Sequence, residues 1–541
     1  MLLNEFFKTF KNFNDLIEKK LKNIYRNSNF YEKKISKIFD AEFQYKPSPY
    51  LLSSLINYQN KKYKIDELNF IAIWENKLKL KESRKLNNFF WFFSLDLKSP
   101  RKLVQKVILD WINRNGRFKK ESWEFDVTAK RIISWLSNHQ LSYEESNKEY
   151  RLKFDYMIQK QTNHLIYEIK SSKNLKNKII GCSAIILTGL SYKINKIYLD
   201  IGLDFLKKIS KDLIDNQGFS KSRNIKQQIF YLKYFILIRE WFKEAQIEIP
   251  EHVNETIYYL GQGYAYFWQN TKVDLLFNGN NNSNNQSFDN YLRRLGYKFK
   301  NDSKDYCGYT ILQNKKICLA MDTGSTPEFK YSENYQSGAL SFEIISNGKK
   351  LISNCGYYKK VSKKLNKLSK SSACHSTLVI DDNSSCKFFK KKDIWMLKTN
   401  LKVTNKKSIY EKNYWKITAS HDGYLKKYNS IHERNIEFYP EQMTFIGIDR
   451  IIKKKTNNNY KFEIRFHFEP TIRLMKTQDN KSILIELDEE GWKFTCDNYD
   501  INIDNGLYFG NKNSYIENQN IFISGIANNN EENIKWEIKR I

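Results

Sequence analysis

The chain has 541 residues, more than one hydrophobic core usually holds, so two or three domains are expected. Its content of 41% hydrophobic and 15% aromatic residues excludes disorder as the default state. The formal net charge of +31, from 91 Lys and Arg against 60 Asp and Glu, favours a polyanionic partner: an acidic glycan, a nucleic acid or an anionic membrane. A composition rich in Lys, Asn and Ile is also what an A/T-rich genome encodes, so the charge alone assigns no function.

The N-terminal segment MLLNEFFKTFKNFNDLIEKK mixes charged with apolar residues, where a signal peptide needs an unbroken apolar run and a small-residue cleavage site. We therefore expect a cytoplasmic protein, with periplasmic export by an unrecognised route left open. The longest apolar stretch, Ile179 to Leu190, is too short to span a bilayer and predicts a buried helix, so no transmembrane segment is expected. The seven cysteines are odd in number and show no CxxC spacing, which predicts free thiols. The oligomeric state stays open.

Apolar residues recur at helical spacing through the first half of the chain. One helix face comprises Leu103, Val104, Val107, Ile108, Trp111 and Ile112, and another comprises Leu203, Leu206, Ile209 and Leu213. The sequence predicts a helical lead-in over residues 1–95 and a helical domain over residues 96–277. Successive helix pairs are consistent with a toroid or a solenoid.

The sequence pattern changes after an Asn-rich segment, NGNNNSNNQS, which favours turns and left-handed backbone and predicts a linker over residues 278–304. Beyond it the apolar residues alternate. In KFEIRFHF, residues Phe462, Ile464, Phe466 and Phe468 point one way while Glu463, Arg465 and His467 point the other. Similar runs are GALSFEIIS, STLVIDD and SILIELD. The sequence thus predicts an all-β domain over residues 305–541.

Five sequence segments narrow the choice of architecture. They are WEFDVTAKRIISWLSNHQ (123–140), SGALSFEIISNGKKLISNCG (337–356), CHSTLVIDDNSSC (374–386), HDGY (421–424) and RFHFEP (465–470). Together, and in this order, they resemble the heparinase II/III-like family. The resemblance implies an N-terminal (α/α) toroid that holds a glycan in its groove, followed by a C-terminal antiparallel β-sandwich. It also implies cleavage of acidic polysaccharides by β-elimination without a nucleotide cofactor.

Elimination at a uronic acid needs a group that neutralises the carboxylate, a base for the C5 proton and an acid for the departing oxygen. The segment TNHLIYE (162–168) resembles the family's Asn-His region. Asn163 is a candidate to contact the carboxylate, His164 to bind the sugar or move a proton, and Glu168, one helical turn after His164, to assist in substrate binding. The alternative is a capping Asn and a partly exposed His on an ordinary helix.

The helix-entry segment QGFSKSRNIKQQ (217–228) resembles the toroid region in which active relatives carry a catalytic tyrosine. Matching Arg223 and Asn224 to the family's pair places Gln227 at the tyrosine position, and an amide cannot act as acid or base. Arg223 remains a candidate carboxylate clamp because its planar guanidinium suits one, and Asn224 a candidate beside it. Tyr231, one turn further on, is better explained as a core residue.

The resemblance also implies a zinc site in the β-domain, and this chain departs from it. Where the family has two histidines the segment ENYQSGALSFEI has Asn334 and Gln336, and Asn354 stands at the position of the next metal-binding carboxylate. His375 matches the last ligand. Amides are poor zinc ligands, so no zinc and no other cofactor is expected. Tyr335 is then the candidate catalytic group here, with Gln336 and His375 as candidate substrate contacts; the alternative for His375 is a hydrogen-bonding residue at a strand entrance.

Three functions follow from these patterns. The first is a polysaccharide lyase acting on acidic, uronate-containing glycans, and the second is a catalytically degenerate glycan-binding protein of the same fold. The third, nucleic-acid binding, is permitted by the charge, but the sequence has no helix-turn-helix, RRM or zinc-finger motif, so no specific nucleic acid is expected as a partner.

The family pattern also includes His421, His432 and Arg434, which are expected to be architectural, whereas His467 fits either an architectural or a catalytic role.

Overall fold

The computed structural model describes residues 17–18, 20–56, 79–192, 196–283, 285–359, 363–391, 394–454, 459–511 and 514–541. The segment used above to argue against a signal peptide lies almost wholly outside these ranges. The contacts of the chain divide it into two compact units. Unit 1 comprises Met1–Leu213, Phe230–Ile257 and Asn290–Leu295, and unit 2 comprises Ile214–Ile229, Tyr258–Asp289 and Gly296–Ile541.

Helices make up the first part of the described chain. They are α1 (Asn29–Ile35), α2 (Pro49–Ile56), α3 (Leu80–Asn87), α4 (Arg101–Asn115), α5 (Phe125–Ser137), α6 (His139–Ser142), α7 (Lys148–Glu168), α8 (Leu175–Tyr192), α9 (Ile197–Leu213), α10 (Ile225–Glu244), α11 (Glu251–Tyr264) and α12 (Gln286–Arg294). A short 3₁₀ segment, Phe90–Ser94, follows α3, and a π-helical turn, Ala265–Gln269, ends α11. None of the helices in the described ranges is both long enough and apolar enough to cross a bilayer.

The apolar run of α8 explains how unit 1 builds its core. Every residue of this helix from Ile179 to Tyr192 is buried, as the sequence predicted. Gly189 lets α8 approach α9 closely, because a Cβ added there would lie 2.4 Å from the backbone nitrogen of Leu199. Larger residues at this position would push the two helices apart.

The second part of the described chain is antiparallel β-structure, in which two short helices, α13 (Lys363–Leu368) and α14 (Leu425–Tyr428), interrupt the strands. The strands are β1 (Asp305–Tyr306), β2 (Tyr309–Gln313), β3 (Ile317–Asp322), β4 (Phe342–Ser346), β5 (Lys349–Ile352), β6 (Leu378–Ile380), β7 (Phe388–Lys391), β8 (Ile394–Leu397), β9 (Val403–Tyr410), β10 (Trp415–His421), β11 (Ser430–Tyr439), β12 (Thr444–Lys453), β13 (Tyr460–His467), β14 (Arg473–Lys476), β15 (Ser482–Leu487), β16 (Glu490–Cys496), β17 (Asp500–Tyr508), β18 (Ile516–Ala527) and β19 (Glu531–Arg540). The predicted order of a helical part followed by an antiparallel β-domain is confirmed.

The strands form four sheets. Their orders are β1-β2-β3-β4-β5, then β14-β15-β16-β19-β12-β11-β10-β9, then β17-β18-β13-β6, and finally the pair β7-β8. The first three sheets share one core, in which Phe342 of β4 stacks on Trp536 of β19 at 5.5 Å and Phe466 of β13 meets the same indole at 5.0 Å. The alternation predicted for β13 is present, since Phe462, Ile464 and Phe466 are buried.

The Asn-rich segment, predicted to be part of a linker, is irregular in its described residues before α12, and Asn278, Asn280, Asn281 and Asn285 are buried within unit 2. Asn278 has the expected left-handed backbone, with φ at 45°. Asn281 donates through Nδ2 to the carbonyls of Tyr357 and Phe509 at 2.7 and 2.6 Å. Asn285 donates to the carboxylate of Asp274 at 3.1 Å. The side-chain amides thus satisfy buried polar groups that regular structure would otherwise have to pair.

A buried polar network links the eight-stranded sheet to its neighbours. Arg434 and Asp449 face each other across β11 and β12, and the guanidinium donates Nε to Oδ1 at 2.7 Å and Nη2 to Oδ2 at 3.1 Å. Trp536 and His432 also donate to this carboxylate, at 2.9 and 2.7 Å. Arg434 further donates to the carbonyl of Leu340, which lies two residues before β4 of the five-stranded sheet. The predicted architectural role of His432 and Arg434 is confirmed.

Removing the charge of Asp449 should therefore be costly. Asp449→Asn leaves the fully buried Arg434 without a carboxylate, and we expect a loss of about 3–5 kcal/mol in the free energy of unfolding. Glu433→Gln, on the neighbouring strand β11, removes an ion pair with the half-exposed Arg450 and should cost at most about 1 kcal/mol. Urea unfolding of both variants checks this, and equal small losses would contradict the account.

Candidate functional site

His164, the predicted proton carrier of unit 1, is buried in α7 with both ring nitrogens in use. Nε2 is 2.9 Å from the carbonyl of Trp123, so it must carry the hydrogen and donate. Nδ1 therefore accepts from the Tyr31 hydroxyl at 2.7 Å. Burial lowers the pKa of His164 to about 4, which keeps the ring neutral at physiological pH. A neutral imidazole in this state has no lone pair free for a substrate proton.

The neighbouring candidates on α7 also bond to the protein. Asn163 donates through Nδ2 to the carbonyls of Ile35 and Lys37, at 2.9 and 2.7 Å, and accepts from the Tyr198 hydroxyl at 3.1 Å. These contacts use both ends of the amide. The structure therefore gives Asn163 a role in holding the segment after α1, and its catalytic role stays a prediction.

Glu168 bonds to Arg26 rather than to His164. Arg26 donates Nε to one carboxylate oxygen at 3.0 Å and Nη2 to the other, and the Lys22 ammonium lies 3.1 Å away. Burial alone would raise the pKa of Glu168, but the hydrogen bond and charge of Arg26 outweigh it and lower the pKa to about 2. Glu168 is thus a paired carboxylate at the C-terminal end of α7.

Arg223, the predicted carboxylate clamp, lies in unit 2 immediately before α10. Its backbone is left-handed, with φ at 56°. Nη1 donates to the carbonyls of Gly324 and Ser325, at 3.1 and 3.2 Å, and Nη2 donates to Gly308 at 2.7 Å and to Asp322 Oδ1 at 2.8 Å. Burial would lower the pKa of Arg223, but the Asp322 carboxylate outweighs it and raises the pKa. The guanidinium is already neutralised by an internal partner.

Asn224 caps the helix that begins at the next residue. Its Oδ1 accepts from the backbone nitrogen of Gln227 at 2.8 Å, the typical bond of an N-cap asparagine. Gln227, at the position of the family's tyrosine, accepts from the Ser222 hydroxyl at 2.6 Å. Tyr231 is 1% exposed and belongs to the core of unit 1, which confirms its interpretation as a core residue.

A polar cluster surrounds the Arg223–Asp322 pair within unit 2. Asn278 donates to Asp322 Oδ2 at 2.9 Å and to the Tyr309 hydroxyl at 2.7 Å. Tyr309 in turn donates to the carbonyl of Arg223 at 2.7 Å. The sequence analysis missed Asp322, Asn278 and Tyr309. The signal that could have found Asp322 is its place at the end of the apolar strand ICLAMD, where a buried carboxylate needs a cationic partner.

Tyr335 and Gln336 lie beside this cluster. Gln336 accepts from the backbone nitrogen of Gly279 at 2.7 Å and donates to the carbonyls of Gly356 and Ser369, at 3.1 and 2.5 Å. Tyr335 is fully buried, and its hydroxyl packs beside Cys386 without an oxygen or nitrogen partner among the described residues. Burial raises the pKa of Tyr335, so its hydroxyl stays protonated. It is the one predicted catalytic group whose polar atom is not committed to a described oxygen or nitrogen.

His375 lies just ahead of β6 and shares its surroundings with His467. His375 Nδ1 donates to the carbonyl of Ser371 at 2.8 Å, so its buried Nε2 carries a lone pair with no partner among the described residues. His467 Nδ1 lies 2.9 Å from Asn520 Oδ1 and 3.2 Å from the thiol of Cys355. Burial lowers the pKa of His375 to about 4 and that of His467 to about 3. Both imidazoles are therefore neutral.

The residues around His375 do not fit a zinc ion. Asn354 Oδ1 accepts from the backbone nitrogen of Ser376 at 2.9 Å, and its Nδ2 donates to Glu343 at 3.1 Å. Gln336 is committed to backbone groups, as described above. Within the described ranges, no group of three or more His, Cys, Asp or Glu side chains is arranged to hold a metal.

Comparison with known proteins gives a consistent picture of the fold. Residues 301–537 match the sequence profile described as heparinase II/III-like, C-terminal. No curated protein sequence matches the chain.

Three similar solved structures cover nearly the whole chain. One is a mutant of the heparan sulfate lyase HepC from Pedobacter heparinus, with a TM-score of 0.69 at 13% identity, covering 94% of this chain and 85% of that one. A heparinase III gene product gives 0.68 at 14% identity, covering 97% and 88%. A further heparinase III gives 0.67 at 14%, covering 94% and 88%. At these identities the likeness concerns the fold.

Because the side chains around His375 are poor zinc ligands, we predict that the protein does not bind zinc stoichiometrically. We expect elemental analysis of the purified full chain to find well under one zinc per molecule, because Asn354 and Gln336 are poor ligands. Treatment with a chelator should leave the melting temperature unchanged. About one zinc per chain, together with a lower melting temperature after chelation, would contradict this.

Proposed function

Because the chain belongs to the heparinase II/III-like family through its C-terminal domain, residues 301–537, we propose that it is a polysaccharide lyase acting on acidic, uronate-containing glycans by β-elimination. The observation that carries the proposal is the likeness of fold over at least 94% of the chain to three structures whose names are heparan sulfate lyase or heparinase III. The net charge of +31 supports a polyanionic substrate.

β-Elimination would require residues of this chain to bind the carboxylate, to take a proton and to donate a proton. Asn163 is proposed to bind the uronate carboxylate, so that the negative charge developing there is stabilised. His164, neutral because of its lowered pKa, is proposed to take the C5 proton, and Tyr335, protonated because of its raised pKa, to donate to the departing oxygen. Both groups have the protonation states that these steps need, but the lowered pKa makes His164 a weaker base and the raised pKa makes Tyr335 a weaker acid.

The hydrogen bonds of the same groups argue for slow turnover. His164 would have to give up the Tyr31 bond before it could accept a proton, and Asn163 would have to release Ile35, Lys37 or Tyr198 before it could bind a carboxylate. Each exchange breaks a hydrogen bond that the folded protein already makes.

These bonds favour a second candidate function on the same class of ligand. A glycan-binding protein that has lost elimination needs no free base or acid, and the positions of the family's tyrosine, two histidines and carboxylate hold Gln227, Asn334, Gln336 and Asn354. Polyanion affinity rests on surface Lys and Arg and would survive these substitutions. It should weaken with salt, since the screening length falls to about 8 Å at physiological ionic strength.

The two candidates differ in one observable, the unsaturated uronate that absorbs in the ultraviolet. We propose incubating the full chain with a panel of uronate-containing glycans and following this absorbance, and in parallel measuring retention of each glycan by the protein. A lyase gives a rise that the His164→Ala and Tyr335→Phe double variant lowers by about 10²-fold or more. A binding protein gives retention without a rise.

A control and two contrary outcomes complete the experiment. The double variant His252→Ala and Tyr258→Phe changes the same residue types outside the candidate site and should behave as the unmodified chain does. Brisk release that persists in the first double variant would show that His164 and Tyr335 are not the catalytic base and acid. Neither release nor retention across the panel would overturn the proposed function itself.

A further inference from the structure

An aromatic and basic surface on unit 2 is not used by any part of the site described above. The strands β7 and β8 pair in a two-stranded sheet, and a 3₁₀ helix, Phe329–Asn334, lies against it. Phe329 stacks on Phe389 with centroids 5.2 Å apart and ring planes at 10°. Phe329 is 41% exposed, so part of the stacked pair is open to solvent.

Lysine side chains lie over these rings. The Lys391 ammonium is 5.6 Å from the centroid of Phe329. Lys330 and Lys221 approach Tyr331 at 4.7 and 6.0 Å. Lys330 also lies 3.4 Å from Glu328, but both side chains are more than 60% exposed and such a pair is weak in water. We refer to Phe329, Lys330, Tyr331, Phe389 and Lys391 together as the Phe329 surface.

The opposite face of β7 anchors this surface to the core of unit 2. Phe388 packs against a buried cluster that contains Tyr335 and Leu397. Lys370 covers the Phe388 ring at 5.1 Å and donates to the carbonyls of Glu333 and Tyr335, at 2.6 and 3.0 Å. The Ser332 hydroxyl accepts from the backbone nitrogen of Leu397 at 3.0 Å. The 3₁₀ helix and the two strands are therefore fixed to each other before any ligand arrives.

This combination of groups has a specific chemical match. The face of an aromatic ring carries partial negative charge and attracts the partially positive C–H groups on the apolar face of a hexose ring. The Lys391 ammonium, 5.6 Å from the centroid of Phe329, can pair with carboxylate or sulfate groups that project from the sugar. A neutral glycan would use only the ring, whereas an acidic glycan uses both.

We propose that the Phe329 surface binds an acidic polysaccharide, with one sugar ring stacked on Phe329 and its anionic substituents paired with Lys330 and Lys391. The inference rests on the proposed function for its ligand class and goes beyond it by naming where on the chain a sugar unit is held. The 3₁₀ helix leads directly into Tyr335, so a sugar held here is also close in the chain to a predicted catalytic group.

The test compares two double variants of the full chain. Phe329→Ala with Lys391→Glu removes the stacking face and reverses one charge of the Phe329 surface. Tyr258→Ala with Lys535→Glu makes the same kinds of change elsewhere, at a tyrosine that is 58% exposed and at an exposed lysine of β19. The two variants carry the same net charge, so a difference between them reports on the site and not on overall electrostatics.

The readout is the fluorescence anisotropy of a labelled heparin octasaccharide, with a labelled oligothymidylate of similar charge as the comparison probe. We expect the first variant to bind heparin at least about tenfold more weakly, the effect of losing one central contact, and the second to change less than about twofold. Matching melting temperatures would show that both variants fold.

Two results would overturn the inference. One is an equal change in heparin affinity for the two variants. The other is a loss of oligothymidylate binding with heparin binding unchanged, which would assign the Phe329 surface to single-stranded nucleic acid. If the unmodified chain binds no acidic glycan at all, the proposed function fails instead, and the two failures are distinguishable.

Discussion

The buried ion pair between Arg223 and Asp322 is the constraint on which the polar interior of unit 2 depends. Two opposite charges removed from water must be paired and fully hydrogen-bonded, or they destabilise the fold by several kcal/mol. Here the pairing holds together the entry to α10, the end of β3 and the Asn-rich loop through Asn278. Gln336 reaches the same loop at Gly279, so the segment that carries Tyr335 is fixed by the same network.

The same principle explains why the hydrogen-bonding atoms of Asn163 and His164 are already occupied within the protein. Side chains that suit β-elimination also suit internal hydrogen bonding, and in this chain they are used for it: Asn163 holds the segment after α1, and His164 bridges Tyr31 and Trp123. Polar groups that are fully paired inside a protein are poor catalysts but good scaffolds. In the proposed function, recognition of a polyanion depends instead on exposed lysines and aromatic rings.

Much of the fold could be predicted from the sequence because its signals are local. The alternation in β13 and the unbroken apolar run of α8 each depend on residues a few positions apart, and both were confirmed. The partners of the site residues could not be predicted. Asn163 bonds to residues 126 and 128 positions earlier in the chain, and Arg223 meets Asp322 across 99 positions. Such contacts are set by tertiary packing, which no spacing in the sequence records. The same limit hid the burial of the Asn-rich loop, whose composition alone predicted a linker.

The central claim is that this chain recognises acidic, uronate-containing polysaccharide. The most direct measurement is calorimetric titration of the full chain with a uronate-containing oligosaccharide of defined length and with the same oligosaccharide after reduction of its carboxyl groups. The account predicts binding of the acidic form that weakens steadily as salt is raised, and at least about tenfold weaker binding of the reduced form, since the charge-assisted contacts are lost. Equal affinity for the two forms, or no heat with either, would contradict it.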